Sequence, residues 1–277
     1  MESFISNKIA AIDSIGGINY KNKNLNYDVF LKAFVESSGG YLSEWDREKN
    51  TNTELVIRGL GGGSRKAILH CWETGRTFYA IDTGYFGNSE KLKVWHRITK
   101  NNLQNLGPIV ERPGDRLSKI SDYKYHKRKK GSKILICPPS EKVMMLFGQP
   151  TPETWTTQVI KELKKHTDRP IEIRLKPNRT ERTNNKTIEA ALADDVYCLI
   201  TYNSIAAIEA IMFGKPAIAL GPNAAQLVCN ADLSQIESLR FPKKDEMYAF
   251  MCHLSYAQFT RDEIADGTAW RIINESS

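Results

Sequence analysis

Residues 199–220 hold the chain's densest group of side chains suited to binding an anion. There an apolar run ends in Thr201-Tyr-Asn-Ser204, followed by Glu209 and then Gly214-Lys-Pro216. Asn203 or Ser204 at a helix start can accept a free backbone N–H. Ile205, Ile208 and Met212 keep helical spacing behind them. Gly214 and Pro216 end that helix, since Gly tolerates positive φ and Pro cannot continue the turn. Unpaired N–H groups and the helix dipole both favour a negative group at such an N-terminus. Glu209, two turns inside and on nearly the side of Tyr202, can accept hydrogen bonds from ribose hydroxyls. An ordinary strand–helix–strand unit accounts for the same residues with no ligand.

Those residues need a scaffold, and the pattern on either side supplies one. Upstream, residues 27–35 have helical apolar spacing and Leu55-Val-Ile57 reads as a short buried strand. The strand runs into Arg58-Gly-Leu-Gly-Gly-Gly-Ser-Arg-Lys66, then a helix over 67–73 and a strand over 77–81. Strand, glycine loop, helix and strand form the first unit of a doubly wound sheet. The loop fits neither the dinucleotide fingerprint nor the P-loop, so it reads as a backbone-exposing loop at a cleft mouth. Asp82-Thr-Gly-Tyr-Phe-Gly-Asn88 follows a strand's carboxyl end, where open α/β sheets carry their sites.

Downstream, Lys133-Ile-Leu-Ile-Cys137 opens a second alternating set. Helices fit 152–166 and 187–193, strands fit 171–175 and 196–201, and the tail over 245–273 reads as helical. Alternation of this kind calls for a parallel sheet. The expected class is α/β with two Rossmann-like domains, a length of 277 residues being comfortable for two. Asp194-Asp195 reads as a helix-end turn, and no metal site is expected.

Composition bounds the compartment and the partners. No apolar run approaches membrane-spanning length and the first residues lack a signal-peptide core, so a cytoplasmic protein is expected. Five scattered cysteines without a CxxC pair read as reduced thiols. Residues 119–133 carry seven Lys or Arg against one Asp, nearly all of the formal net charge of +7. A block this basic should be an exposed connection at a domain boundary near residue 130. It suits a polyanion, with Tyr123 and Tyr125 free to lie against sugars or bases, or it is simply a solvated linker.

The second half resembles the donor domain of GT-B glycosyltransferases. The resemblance rests on Ile136-Cys-Pro-Pro-Ser-Glu-Lys142, Ile173-Arg-Leu-Lys-Pro177 and Thr201-Tyr-Asn-Ser204…Glu209…Gly214-Lys-Pro216, over roughly residues 132–240. Phe78-Tyr-Ala-Ile-Asp-Thr-Gly-Tyr-Phe-Gly-Asn88, Trp95-His-Arg-Ile-Thr-Lys-Asn-Asn102 and Arg112-Pro-Gly-Asp-Arg116 are similar to a narrower group. These are the phage enzymes that glycosylate 5-hydroxymethylcytosine in T-even-like DNA, the arabinosyl-transferring members being closest. The resemblance implies two domains facing across a cleft: 1–130 for the DNA acceptor, 131–245 for a UDP-sugar, and a helical tail over 246–277 able to return to the first.

Sugar transfer asks the protein to neutralise the leaving diphosphate, hold the nucleoside and present an acceptor hydroxyl. Arg174 and Lys176 follow a strand and are first choice for the diphosphate, Arg forking two oxygens and Lys adding a point charge. Asn203, Ser204 and the following amides complete the cradle beside Tyr202. Glu209 takes the ribose by resemblance, and Ser140 and Lys142 can close over phosphates or sugar. Asp82 is the leading base, with Tyr79 and Tyr85 expected to desolvate it, although Asp-Thr-Gly is also a good turn. Glu73, His96 and Asp115 are reserves. Phosphate contacts with double-stranded DNA are expected from Arg58, Arg65, Lys66, Arg76, Lys93, Arg97, Lys100, Arg112 and Arg116. Lys127, Arg128, Lys129 and Lys130 join them from the basic block. The modified base would be reached by flipping. A transferase of cell-surface polysaccharide, or a nucleic-acid-binding module with vestigial halves, are the competing readings.

Overall fold

The computed structural model describes residues 9–12, 28–42, 53–89, 92–176 and 187–275. Tyr27, the start of the first expected helix, and Pro177 of the Arg-Leu-Lys-Pro motif lie outside them. The chain is an α/β protein with two parallel-rich sheets, each in its own compact unit: Met1–Asn105 with Tyr256–Ser277, and Leu106–Ser255.

The first unit contains β1 (Ile9–Ile12), α1 (Val29–Ser37), β2 (Tyr41–Leu42), β3 (Glu54–Arg58), α2 (Gly62–Thr74), β4 (Phe78–Thr83) and β5 (His96–Lys100). The second contains α3 (Asp115–Ile120), β6 (Lys133–Cys137), α4 (Glu141–Leu146), α5 (Pro152–Leu163), β7 (Ile171–Ile173), α6 (Ile188–Ala193), β8 (Val196–Thr201), α7 (Ala206–Phe213), β9 (Ala217–Ala219) and α8 (Lys244–Ser255). The chain then returns to the first unit with β10 (Gln258–Phe259), α9 (Arg261–Ala265) and α10 (Thr268–Glu275).

The first sheet runs β10-β5-β4-β3-β1-β2, parallel from β4 to β2. β5 and β10 pair antiparallel on its edge. Neither strand is in the sequence reading, which makes the tail helical throughout. β10 is two residues long, too short for alternation to register. Tyr79, Ile81, Val56 and Ile98 point to one face and pack with Leu31 and Phe34 of α1, Ile264 of α9 and Ala269 of α10. That shared core draws the tail back. α2 begins at Gly62, so two glycines expected in a loop form its first turn instead.

The second sheet runs β7-β6-β8-β9, entirely parallel. β6, β8 and β9 are near-continuous apolar runs and mostly buried, whereas the edge strand β7 is Ile-Glu-Ile and largely exposed. β6, β8 and the Gly214 stop, at φ +92, lie where the sequence reading has them, while β7 ends at Ile173, two residues short of the expected 171–175. α7 starts later than Asn203 or Ser204, which sets Glu209 in its first turn. Asp194 caps α6 and Asp195 takes positive φ, as suits a helix-end turn.

The compact units divide elsewhere than residue 130. Residues 106–130 and α8 belong to the second unit. The basic block crosses that unit as an extended strap. Tyr125 Oη donates to the Pro242 carbonyl at 3.0 Å, the Lys129 amide to the Gly214 carbonyl at 2.8 Å, and Lys215 Nζ to the Lys130 carbonyl at 2.7 Å. Gly214 also makes room for the strap, as a Cβ there would lie 2.8 Å from the Lys127 carbonyl oxygen. All five cysteines are buried free thiols, and among the described residues no helix is long and apolar enough to cross a membrane.

Candidate functional site

In the second unit the strand register sets three carboxyl ends level, with Cys137 paired to Thr201 and Ile136 to Ile173. The hydroxyl of Thr201 donates to the Cys137 carbonyl at 2.8 Å and the Arg174 amide to the Ile136 carbonyl at 2.8 Å. The buried Cys137 thiol records what gathers there. Burial pushes its pKa up to about 11, the hydrogen-bonded Arg174 guanidinium pulls it down, and the Glu209 carboxylate adds to the rise. Arg174 and Glu209, 35 residues apart in sequence, therefore both act on the thiol at the end of β6. Cys137 is a residue the sequence reading passed over as a core thiol.

Ser204 holds the entry to α7, its hydroxyl accepting from the Ala206 amide at 3.2 Å. Asn203 and Ser204 are half-buried. Ser140 precedes α4 and makes no side-chain cap; its carbonyl accepts from the Val143 amide at 3.0 Å. The segment expected to close as a loop is thus a short helix, with Lys142 exposed on its first turn. Lys176 is exposed and lies, like Arg174, beyond the last residue of β7. Tyr202 departs from expectation. It is 7% exposed, with its ring 5.8 Å from Phe147 and 6.4 Å from Trp155, so it anchors α4 and α5 to the strand end.

In the first unit Asp82 sits within β4 opposite Arg97 of β5. Its carboxylate accepts from Arg97 Nη2 at 2.7 Å and from the Thr83 amide at 2.7 Å. The expected desolvation by two tyrosines is not the arrangement found. Tyr79 is on the other face of the strand, hydrogen-bonded to Asn274 at 2.9 Å. The Tyr85 hydroxyl accepts from the Asn105 amide at 2.7 Å. Asp82 instead keeps an arginine partner while 55% of its side chain stays exposed. His96 is buried against Phe30, ring centroids 3.9 Å apart. Burial first, then the Arg58 charge, holds its pKa below the ordinary histidine value. Glu73 and Asp115 are exposed helical residues.

Several cations expected along DNA are internal. Arg97 is 7% exposed and also donates to the Thr83 carbonyl at 2.6 Å and the Leu103 carbonyl at 3.2 Å. Arg116 is 6% exposed and donates to the Ser255 carbonyl at 3.1 Å. A cationic residue in a sequence does not reveal which strand or helix face it occupies, and both guanidinium groups serve as interior donors. Arg58 pairs with Asp28 and lies 4.3 Å from the Phe30 ring centre. Arg76 donates to the Thr53 hydroxyl at 2.6 Å, Lys93 to the Ser89 carbonyl at 2.7 Å and Lys100 to Asn274 at 3.1 Å. Arg65 and Arg112 are half-buried and Lys66 is exposed.

On the strap Lys124, Lys127, Arg128 and Lys130 are exposed, while Lys129 lies 3.7 Å from the Phe213 ring centre. Tyr123 and Tyr125 are half-buried rather than free to stack. The strap passes the carboxyl end of α7 and enters β6 at Lys133, whereas Arg174, Ser204 and Glu209 gather at the other end of those elements.

Neither protein-family models nor curated protein sequences give a match. Among solved structures the chain is similar to the KpsC β-Kdo 2,4-transferase of Thermosulfurimonas dismutans, with a TM-score of 0.49 and 14% identity over 90% of each chain. It is also similar to the KpsC β-Kdo 2,7-transferase of the same organism, with a TM-score of 0.49 and 9% identity over 98% of this chain and 100% of that one.

Proposed function

We propose that the protein is a glycosyltransferase whose second unit holds a nucleotide-activated sugar at the carboxyl ends of β6, β7 and β8. The observation that carries this reading is the level carboxyl ends of β6, β7 and β8, which set Arg174 just past β7 and beside the polar entry of α7 that holds Ser204 and, in its first turn, Glu209. Arg174 and Lys176 neutralise the phosphates, the Asn203–Ser204 turn adds N–H donors, and Glu209 accepts from sugar hydroxyls. In transfer, a bond forms between the acceptor oxygen and the anomeric carbon as the bond to phosphate breaks. The electron pair leaves with the nucleotide. In an inverting course the acceptor proton goes to a general base, and Asp82 is the candidate for that role.

The finer reading is transfer of arabinose or glucose from a UDP-sugar to 5-hydroxymethylcytosine in DNA. Its support is the set of exposed strap cations Lys124, Lys127, Arg128 and Lys130, which suit duplex phosphates, although the strap runs at the end of β6 opposite the donor residues. The alternative acceptor is a cell-surface polysaccharide. The burial of Arg97 and Arg116 favours that alternative, because it removes two expected phosphate contacts. A nucleoside digest of hydroxymethylcytosine DNA, incubated with the protein and a panel of nucleotide sugars, separates them by mass. A pentose or hexose on the modified cytosine supports the DNA reading. Nucleotide release without modified DNA moves the acceptor to glycans, and no turnover with any donor overturns the assignment as a transferase.

A further inference from the structure

Past the ends of β8 and β9 the two chains stay bonded almost residue by residue. The Leu220 amide donates to the Thr201 carbonyl at 2.9 Å and the Gly221 amide to the Tyr202 carbonyl at 2.9 Å. Asn223 makes the last rung with its side chain, Nδ2 donating to the Ser204 carbonyl at 2.9 Å. Its Oδ1 accepts from the Ala225 amide at 2.9 Å and so starts the short turn Ala224–Leu227. Gln226 closes the loop from behind, donating to the Ala219 carbonyl at 2.8 Å. Asn223 is 1% exposed, so both ends of its amide are committed inside the protein. Gly221 permits the close approach, as a Cβ there would lie 2.5 Å from the Tyr202 ring.

We infer that Asn223 is a positioning residue for the donor site: it fixes the Ser204 carbonyl, and through it the amides that face the donor phosphates. This role rests on the proposed donor site in the second unit. A helix entry binds an anion well only if its N–H groups are already aimed, since ordering them on binding subtracts from affinity. Ser204 also makes local contacts, its hydroxyl accepting from the Ala206 amide and its carbonyl from the Ala207 amide. Asn223 ties that turn to a separate loop in which Asn223, Ala224 and Ala225 are buried. It touches no substrate itself.

The test compares Asn223→Ser with Asn223→Asp in the full-length protein. The serine hydroxyl can still cap Ala225 but falls short of the Ser204 carbonyl. The aspartate keeps the cap and loses the donor. The readouts are the dissociation constants of the common nucleoside diphosphates, amide hydrogen exchange at residues 203–208, and the melting temperature. The expected result is binding weakened about fivefold to tenfold, the loss of one buried hydrogen bond, and faster exchange confined to that turn. If Asn223→Ser binds as tightly as the wild type while Arg174→Ala does not, the positioning role is wrong and the donor site stands. If the wild-type protein binds no nucleoside diphosphate, the donor-site reading fails and takes this role with it. Should Asn223→Asp not fold, Asn223→Ser makes the same comparison without a buried charge.

Discussion

Arg174 and Glu209 act on one thiol with opposite sign, and their chemistry separates what each should do to binding. A charge-assisted hydrogen bond is worth about 1.5–3 kcal/mol, so Arg174→Ala should weaken nucleoside diphosphates roughly tenfold to a hundredfold. It should weaken inorganic pyrophosphate comparably. Glu209→Ala should weaken the nucleoside diphosphate and leave pyrophosphate unchanged, because its proposed partners are sugar hydroxyls; titration calorimetry with both ligands reads the difference. Asp82 needs another design. Asp82→Ala strips the ion pair from a buried guanidinium, which should lower stability by about 1 kcal/mol and blur any catalytic effect. Asp82→Asn retains an oxygen for Arg97 and removes the base, so turnover should fall at least about a hundredfold with melting nearly unchanged. A full-rate Asp82→Asn enzyme ends the candidacy of Asp82. The sequence made Arg174, Ser204 and Glu209 candidates because strand ends and helix entries have local signatures. It hid the Asp82–Arg97 pair, since cross-strand partners depend on an antiparallel register that no local pattern announces.

At the scale of elements, parallel strands with helices between them were legible because each is a long apolar run bounded by turn residues. β6 and β8 show it, α5 is marked by the helical spacing of Trp155, Val159 and Leu163, and β5 and β10 are the exceptions for want of length or a bounding signal. The basic block was readable as exposed but not as attached. Its anchors are main-chain atoms, the Tyr125 hydroxyl and the interior residue Lys215, and sequence charge says nothing of them. Gly214 couples the two features. Its φ of +92 and the nearby Lys127 carbonyl mean that Gly214→Ala strains the α7 stop and crowds the strap together. The left-handed conformation alone should cost about 1–2 kcal/mol, visible as a lower melting temperature. The strap, loosened from the Gly214 carbonyl, should be cut sooner by trypsin between Lys124 and Lys130. Unchanged cleavage in a destabilised Gly214→Ala protein would mean that Tyr125 and Lys215 hold the strap without it.

For the whole molecule, each unit has a buried histidine whose neutral form the fold prefers. His96 is held low by burial and then Arg58, and His253 by burial and then Arg112. His253 Nδ1 accepts from the Val110 amide at 3.1 Å, a bond the protonated ring cannot make. Both pKa values are lower folded than unfolded, so below the ordinary histidine value of about 6.5 the unfolded chain binds more protons. Their contribution is present above that pH and is lost as pH falls through the folded values. Melting should therefore drop on acidification from neutrality, and His253→Gln should flatten the fall. Salt tests the strap. Neutralised phosphates release counterions, so log K falls with log salt at about −0.9 for each phosphate contact. Lys124, Lys127, Arg128 and Lys130 are exposed, whereas Arg97 and Arg116 are interior and should add nothing to the slope. About four contacts give a slope near −3.6, or roughly a hundredfold loss of duplex affinity between about 50 and 200 mM salt. Replacing the four strap cations with glutamine should flatten that slope while nucleoside diphosphate binding persists. A steep slope that survives the replacement moves the DNA surface to other cations. A flat slope in the wild-type protein removes DNA as the acceptor and leaves the polysaccharide reading in its place.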